Sequence, residues 1–336
     1  MKRLALFVAA PIILVLIFLS FGFFWWSQNS KPVSSNNETL RFVIPKGYIA
    51  SQTAQKLYEQ KLIKSPLAFK VYVQVRGISG KIQAGEYDLS QNSSLPKLVE
   101  TLLKGPTSVW ITIPEGLRRE EIAIKFAQSL IKDKNQQEIF LNDFMQYSRG
   151  KEGFLFPDTY LFPRDMSGEK IVNFMSTTFD KKISSYSQDI ELGSLNPNQI
   201  VTLASLIERE AKGEEERPII AGILIKRANA GWPLQVDAAV QYAVATDKCI
   251  ASTTSDCNWW PILTKEDLQI ISRFNTYKYP GFPPSPVSNP GLSSIKAAVF
   301  PQDSPYWFYL HDNEGVIHFA KTIEEHNENI RNYLGK

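Results

Sequence analysis

The chain opens on an unbroken apolar run, LALFVAAPIILVLIFLSFGFFWW from Leu4 to Trp26, and no charged residue occurs between Leu4 and Ser30. A helix needs roughly 20 apolar residues to cross a bilayer. The run therefore predicts a single membrane anchor over residues 1–30. Lys2 and Arg3 precede it, which keeps the N-terminus cytoplasmic, and Phe23, Phe24, Trp25 and Trp26 suit the outer interface. A cleaved signal peptide is the competing reading, but its apolar core is shorter and ends in small residues. Here the run ends in four aromatics. The rest of the chain is then expected outside the cytoplasmic membrane.

A polar linker follows over residues 31–39, and globular patterning begins at Leu40. Alternation and turn residues predict a strand at Arg41–Ile44, helices at Ser51–Gln60, Ser65–Val75 and Leu95–Leu103, and an extended stretch at Lys81–Leu89. The segments FVIPKGYIASQTAQKL from Phe42 and ITIPEGLRREEIAIKF from Ile111 echo one another at an offset of 69 residues. Both read as strand, Ile-Pro-x-Gly turn and helix, so two related β–α units are expected. EGFLFPDTYLFP, Glu152 to Pro163, is apolar and turn-rich and predicts packing beneath a surface, with Tyr160 as a possible cleft-lining ring. A helix is expected over Ser167–Tyr186.

The next helix carries the chemistry. In NPNQIVTLASLIEREAKG, Asn196 suits the N-cap, Pro197 the first turn and Gly213 the stop. Ile200, Leu203, Ala204, Ile207 and Ala211 follow the spacing of one buried face. Glu208 and Glu210 lie about 200° apart on the helix. Glu210 falls beside the apolar stripe, while Glu208 is placed to pair with Lys212 at the surface. A carboxyl partly removed from water holds its proton longer and can serve as a general acid. The same position also fits a boundary residue with its head in water.

Composition narrows the function classes. Thirty-seven Lys and Arg against 34 Asp and Glu leave a net charge of only +3, which argues against a nucleic-acid partner. Seven Trp, 13 Tyr and 20 Phe supply rings for sugar stacking as well as for a core. Cys249 and Cys257 can close a small loop in an oxidising compartment, but two cysteines are too few for a structural zinc site. His311, His318 and His326 lack metal-ligand spacing. No metal or other cofactor is called for.

LASLIEREAKGEEER, followed by IIAGILIKRANAGWPLQVDAAVQYA, resembles the YceG-like family, the endolytic lytic transglycosylases of bacterial peptidoglycan. The family's Leu-Ala-Ser, Glu-x-Glu, Glu-Arg, Leu-Gln-x-Asp and Tyr places are held by Leu203, Ala204, Ser205, Glu208, Glu210, Glu216, Arg217, Leu234, Gln235, Asp237 and Tyr242. FNTYKYPGFPPSPVSNPG and the C-terminal segment with His318 and His326 are similar to later family stretches. One departure is that Trp232-Pro233 stands where the family carries a methionine.

The resemblance implies an α+β chain, with the anchor helix, a LysM-like α/β subdomain over 40–107 and a mixed α+β catalytic domain over 108–336. It makes Glu210, the second glutamate of Glu-x-Glu, the catalytic acid/base. It implies cleavage of the β-1,4 bond between N-acetylmuramic acid and N-acetylglucosamine to give 1,6-anhydro ends, on nascent strands, as a terminator of elongation. Gln235, Asp237, Asn275, Tyr277 and Asn289 are the expected substrate-binding residues, and His318 and His326 are expected to organise the C-terminal lobe. Peptidoglycan strands are the substrate; synthases are the protein partners such a role calls for, though no residue identifies them.

Two other readings stand beside this one. A lysozyme-like hydrolase needs a second positioned carboxylate, for which Asp237 or Asp158 is available. A tethered wall-binding adaptor needs no catalytic carboxyl. A serine hydrolase is disfavoured, because the sequence has no Gly-x-Ser-x-Gly.

Overall fold

The computed structural model describes residues 2–249 and 257–335; the side chains of residues 2–12 and 15 lie outside the described set. The chain divides into two compact units, residues 1–111 with 160–164, and residues 112–159 with 165–336. Both mix helices with antiparallel strands, as expected for an α+β chain.

The first unit contains α1 (Lys2–Asn29), β1 (Thr39–Ile44), α2 (Ala50–Glu59), α3 (Pro66–Val75), β2 (Gly85–Ser90) and α4 (Leu95–Lys104). β3 (Ser108–Thr112) and β4 (Thr159–Pro163) complete a sheet of order β1-β2-β3-β4. β1 and β2 run antiparallel in register from Thr39 opposite Ser90 to Ile44 opposite Gly85. Alternate residues Phe42, Ile44, Tyr87 and Leu89 point inward onto Leu57, Phe69 and Leu98, the period-2 burial of a one-sided sheet. The extended stretch expected from Lys81 begins later, because Ser79–Lys81 forms a single 3-10 turn. Among the described residues no helix is long and apolar enough to cross a membrane. Much of the expected anchor falls on side chains outside that set.

The sequence echo becomes a structural one. Gly47 and Gly116 both sit at positive φ, 86° and 77°, a conformation that only glycine adopts at little cost. The helix after each turn opens with the same side-chain cap. The Ile49 N–H donates to Gln52 Oε1 and the Arg118 N–H to Glu121 Oε2, both at 3.0 Å.

The second unit holds α5 (Arg119–Leu130), α6 (Lys134–Tyr147), α7 (Gly168–Ile183), α8 (Ser187–Leu192), α9 (Pro197–Glu210), α10 (Arg217–Asn229), α11 (Asp237–Cys249), α12 (Leu292–Val299), β5 (Phe308–His311), β6 (Ile317–Ala320) and α13 (Ile323–Asn329). Cys249, the last residue of α11, is disulfide-bonded to Cys257. α9 is the core element. Asn196 caps it, accepting from the Gln199 N–H at 2.9 Å. The expected single stripe proves too narrow, since every residue from Ile200 to Ile207 is buried. A helix enclosed on all sides must satisfy its own polar groups. Thr202 Oγ1 donates to the Asn198 carbonyl at 2.8 Å. Ser205 Oγ donates to the Thr202 carbonyl at 2.7 Å and accepts from the Val287 N–H at 3.0 Å.

Replacing Ser205 with Ala leaves the Val287 N–H buried without its acceptor. The expected loss is about 1–3 kcal/mol, read as a lower urea midpoint at unchanged slope. An unchanged midpoint would mean that this contact contributes nothing.

Candidate active site

α9 stops at Glu210, three residues before the glycine expected to end it. Ala211 is already extended, at φ −77° and ψ 138°. The cause is a side chain. The Glu216 carboxylate accepts from the N–H groups of Lys212 and Gly213, the latter at 2.6 Å, so neither donor continues the helical ladder. Glu216 is buried and also pairs with His311 Nε2 at 3.1 Å. His311 lies on β5, two residues after Tyr309. One carboxylate thus ties the loop leaving Glu210 to the strand that carries Glu210's partner.

That partner is the Tyr309 hydroxyl, which donates to Glu210 Oε2 at 2.9 Å. Glu210 is half-buried in the wall of a cavity of about 390 Å³ that is also lined by Arg227, Gln235, Asp237, Tyr277 and Phe308. Burial pushes its carboxyl from 4.5 up to about 7. The Tyr309 bond opposes the shift, the negative charge of Asp237 adds to it, and the cations Arg227 and Arg209 oppose it. Burial likewise holds the Tyr309 hydroxyl well above its ordinary value, with the Glu210 charge adding to the effect, so Tyr309 acts as a donor. Tyr277 Oη donates to Asp237 Oδ1 at 2.6 Å. Arg227 is buried and held rigidly, donating from Nε to the Trp307 carbonyl at 2.8 Å and from Nη1 to the Leu234 carbonyl at 2.7 Å. The cavity therefore presents a carboxyl that is proton-bearing near neutral pH, a fixed hydroxyl donor and a fixed cation.

Four expected site residues, Glu210, Gln235, Asp237 and Tyr277, meet in this cavity. Two do not. Asn275 is fully buried; its amide donates to the Leu268 and Ile270 carbonyls and accepts from the Tyr277 N–H. It shapes the loop that presents Tyr277. Asn289 is also fully buried, donating to the Leu117 carbonyl and Glu152 and accepting from the Leu155 N–H. Both N–H donors of each amide are used inside the protein, and neither residue lines the Glu210 cavity.

Glu208 also departs from expectation. It does not pair with Lys212 at the surface. It accepts from the Gly291 N–H at 3.0 Å, lies 3.7 Å from Arg217, and its side chain is only 8% exposed. Tyr160 is buried and stacked on Phe162. His318 binds Asp312 at 2.9 Å and stacks on Tyr333, whereas His326 lines the cavity against Phe308. Tyr309 and Arg227 are the partners that sequence reasoning did not single out. A basic residue on an otherwise apolar helix face was the available sign for Arg227. Tyr309 sits in the aromatic run YWFYLH, where nothing local separates it from its neighbours.

Two outcomes follow from this geometry. Because folding raises the Glu210 pKa, the stability that its proton supplies is lost as pH rises from 4.5 through about 7. Glu210→Gln keeps the neutral shape, so its melting temperature should gain on the wild type across that window and hold the gain above it. A constant difference would show a carboxyl still solvated. Asn289→Ala should lower stability by about 2–4 kcal/mol, through buried partners left unpaired, as measured by urea denaturation.

A protein-family model described as the YceG-like family matches residues 42–332. The chain is 30% identical to an endolytic murein transglycosylase of Bacillus subtilis, over 93% of this chain and 90% of that protein. It is 28% identical to an endolytic murein transglycosylase of Streptococcus pneumoniae, over 97% of this chain and 66% of that longer protein. A crystal structure of a YceG-like protein from Listeria monocytogenes superposes with a TM-score of 0.56 at 28% identity, covering 87% of this chain and 99% of that one.

Proposed function

The chain belongs to the YceG-like family, and from that premise we propose that it is a membrane-anchored endolytic lytic transglycosylase of peptidoglycan. It cleaves the β-1,4 bond between N-acetylmuramic acid and N-acetylglucosamine and leaves 1,6-anhydro ends, acting on nascent strands. The carrying observation is Glu210: one half-buried carboxyl, pushed up to about 7, with a hydroxyl donor in contact and a cavity in front of it.

The chemistry needs a single group that is first acid and then base. Protonated Glu210 gives its proton to the glycosidic oxygen as the bond to C1 breaks. The resulting carboxylate is stabilised by the Tyr309 O–H and by the charge of Arg227. It then takes the proton of the muramic C6 hydroxyl as that oxygen closes on C1. Atoms balance without water, and the carboxyl ends protonated again. A pKa near the working pH suits a group that must both give and take a proton. Gln235, Asp237 and Tyr277 face the same cavity and offer amide, carboxylate and hydroxyl groups to sugar substituents.

The location rests on separate support. Ile13, Leu16, Ile17, Phe18, Leu19 and Phe21 of α1 are all more than half exposed, as lipid-facing residues would be, and Lys2 and Arg3 precede them. A disulfide between Cys249 and Cys257 belongs in an oxidising compartment. The first unit, read as LysM-like, would grip glycan close to the membrane.

Asp237 keeps the hydrolase as a second reading, since it places another carboxyl in the Glu210 cavity. Mass spectrometry of purified peptidoglycan treated with the full chain in detergent micelles decides between them. Anhydro-muramic ends lost in Glu210→Gln are the expected result, and reducing ends would transfer the reaction to water. Cleavage should also fall as pH rises through about 7, where Glu210 loses its proton before the bond breaks. Tyr309→Phe removes a bond that favours the carboxylate. It should therefore lower the rate and move that limb to higher pH; a limb that stays in place would remove Tyr309 from the acid/base pair.

A further inference from the structure

We propose that Trp232 and Trp307 form a stacking platform for the glycan strand, next to the Glu210 cavity and outside it. The inference rests on the reading of the substrate as a glycan. Trp232 follows the turn after α10, where Gly231 takes φ 70°, and its N–H donates to the Arg227 carbonyl at 2.9 Å. Trp232 is 43% exposed, and its neighbours Trp307 and Phe308 make this a cluster of rings rather than a single exposed one. The Trp232 ring lies 4.6 Å from that of Trp307 and 6.2 Å from that of Phe308. Phe308 lines the cavity, so a chain of ring contacts, tilted at 37° and 51°, links the cavity wall to Trp232.

The platform is held rigid. The Trp307 N–H donates to the Ala320 carbonyl at 3.0 Å, and its carbonyl accepts from Arg227 Nε at 2.8 Å. Lys226 Nζ sits 4.7 Å from the Trp307 ring centre while donating to the Ser304 carbonyl at 2.8 Å. Arg227 therefore connects three things: the charge beside Glu210, the ring of Phe308 at 5.1 Å, and the backbone of Trp307.

Hexosamine rings present faces of axial C–H groups, and rigid aromatic planes bind such faces while leaving the substituents unread. That suits a partner built as a long repeat, in which the cavity selects the bond and a neighbouring platform holds the strand. The occupant is thus a further stretch of the strand being cut.

The experiment uses the full chain with Glu210→Gln in detergent micelles, so that the ligand survives. Calorimetry measures binding of peptide-free murein glycan as a short oligomer filling the cavity and as a long one. Trp232→Ala is expected to weaken the long oligomer up to about tenfold, the size of one ring stack, and to leave the short one within about twofold. Trp232→Phe should recover most of the loss. Equal weakening of both lengths, with the melting temperature lowered, would make Trp232 a packing residue and overturn the proposal. So would unchanged binding of both, or no binding by the Glu210→Gln parent. Wild-type protein that makes no anhydro ends, alongside long-oligomer binding that still depends on Trp232, would sink the reaction and leave the platform standing.

Discussion

The site depends on one competition for backbone donors. The Glu216 carboxylate takes the Lys212 and Gly213 N–H groups, and α9 ends at Glu210 as a result. Had those donors stayed with the helix, Glu210 would stand inside a regular turn and the chain would leave three residues later. Instead the side chain projects from the final turn, where the unpaired carbonyls of a helix C-terminus disfavour a negative charge. Through His311 the same carboxylate also fixes β5, and with it Tyr309. The distance between acid and donor is therefore set by a third residue that lies outside the cavity.

A second buried carboxyl shares the raised pKa of Glu210 but not its surroundings. Glu152 is 5% exposed and its pKa is raised by burial and by Glu120. It accepts from the Arg119 N–H and the Asn289 amide, and Tyr242 Oη lies 3.5 Å away. Beside it Arg118, fully buried, donates to Glu120, the Tyr242 carbonyl and Thr246, with its guanidinium 4.0 Å from the Tyr242 ring centre and 4.7 Å from that of Trp259. This network joins the start of α5 to α11 and to the loop at Asn289. The Glu152 carboxylate is committed to the Arg119 N–H and the Asn289 amide, contacts that hold the fold together. Glu210 instead has one hydroxyl donor and faces an open cavity.

The sequence revealed most where the determinants are local. Asn196-Pro197 marked the start of α9, the turn glycines marked both β–α units, and helical spacing turned Glu210 inward. It revealed least where a side chain acts at a distance in space. The stop of α9 depends on where Glu216 folds back. Asn275 and Asn289 have the right groups for sugars, but loops rich in Pro and Gly leave backbone atoms unpaired, and a buried amide is the cheapest way to satisfy them. Glu208 has the spacing of a surface pair, yet Gly291, the residue just before α12, donates its N–H to the carboxylate. Tyr309 becomes visible only when β5 is laid against the end of α9.

The disulfide closes the segment between Cys249 and Cys257 into a covalent ring. A protease that cuts anywhere between those two residues opens the ring without dividing the molecule. α11, with Asp237 at its start, would stay bonded to Trp259 and Trp260 and everything after them, including Tyr277 and Tyr309. A nick there would leave the catalytic unit a single covalent particle, and the packing of α9 against α12 and Tyr309 would hold Glu210 by its donor even after reduction.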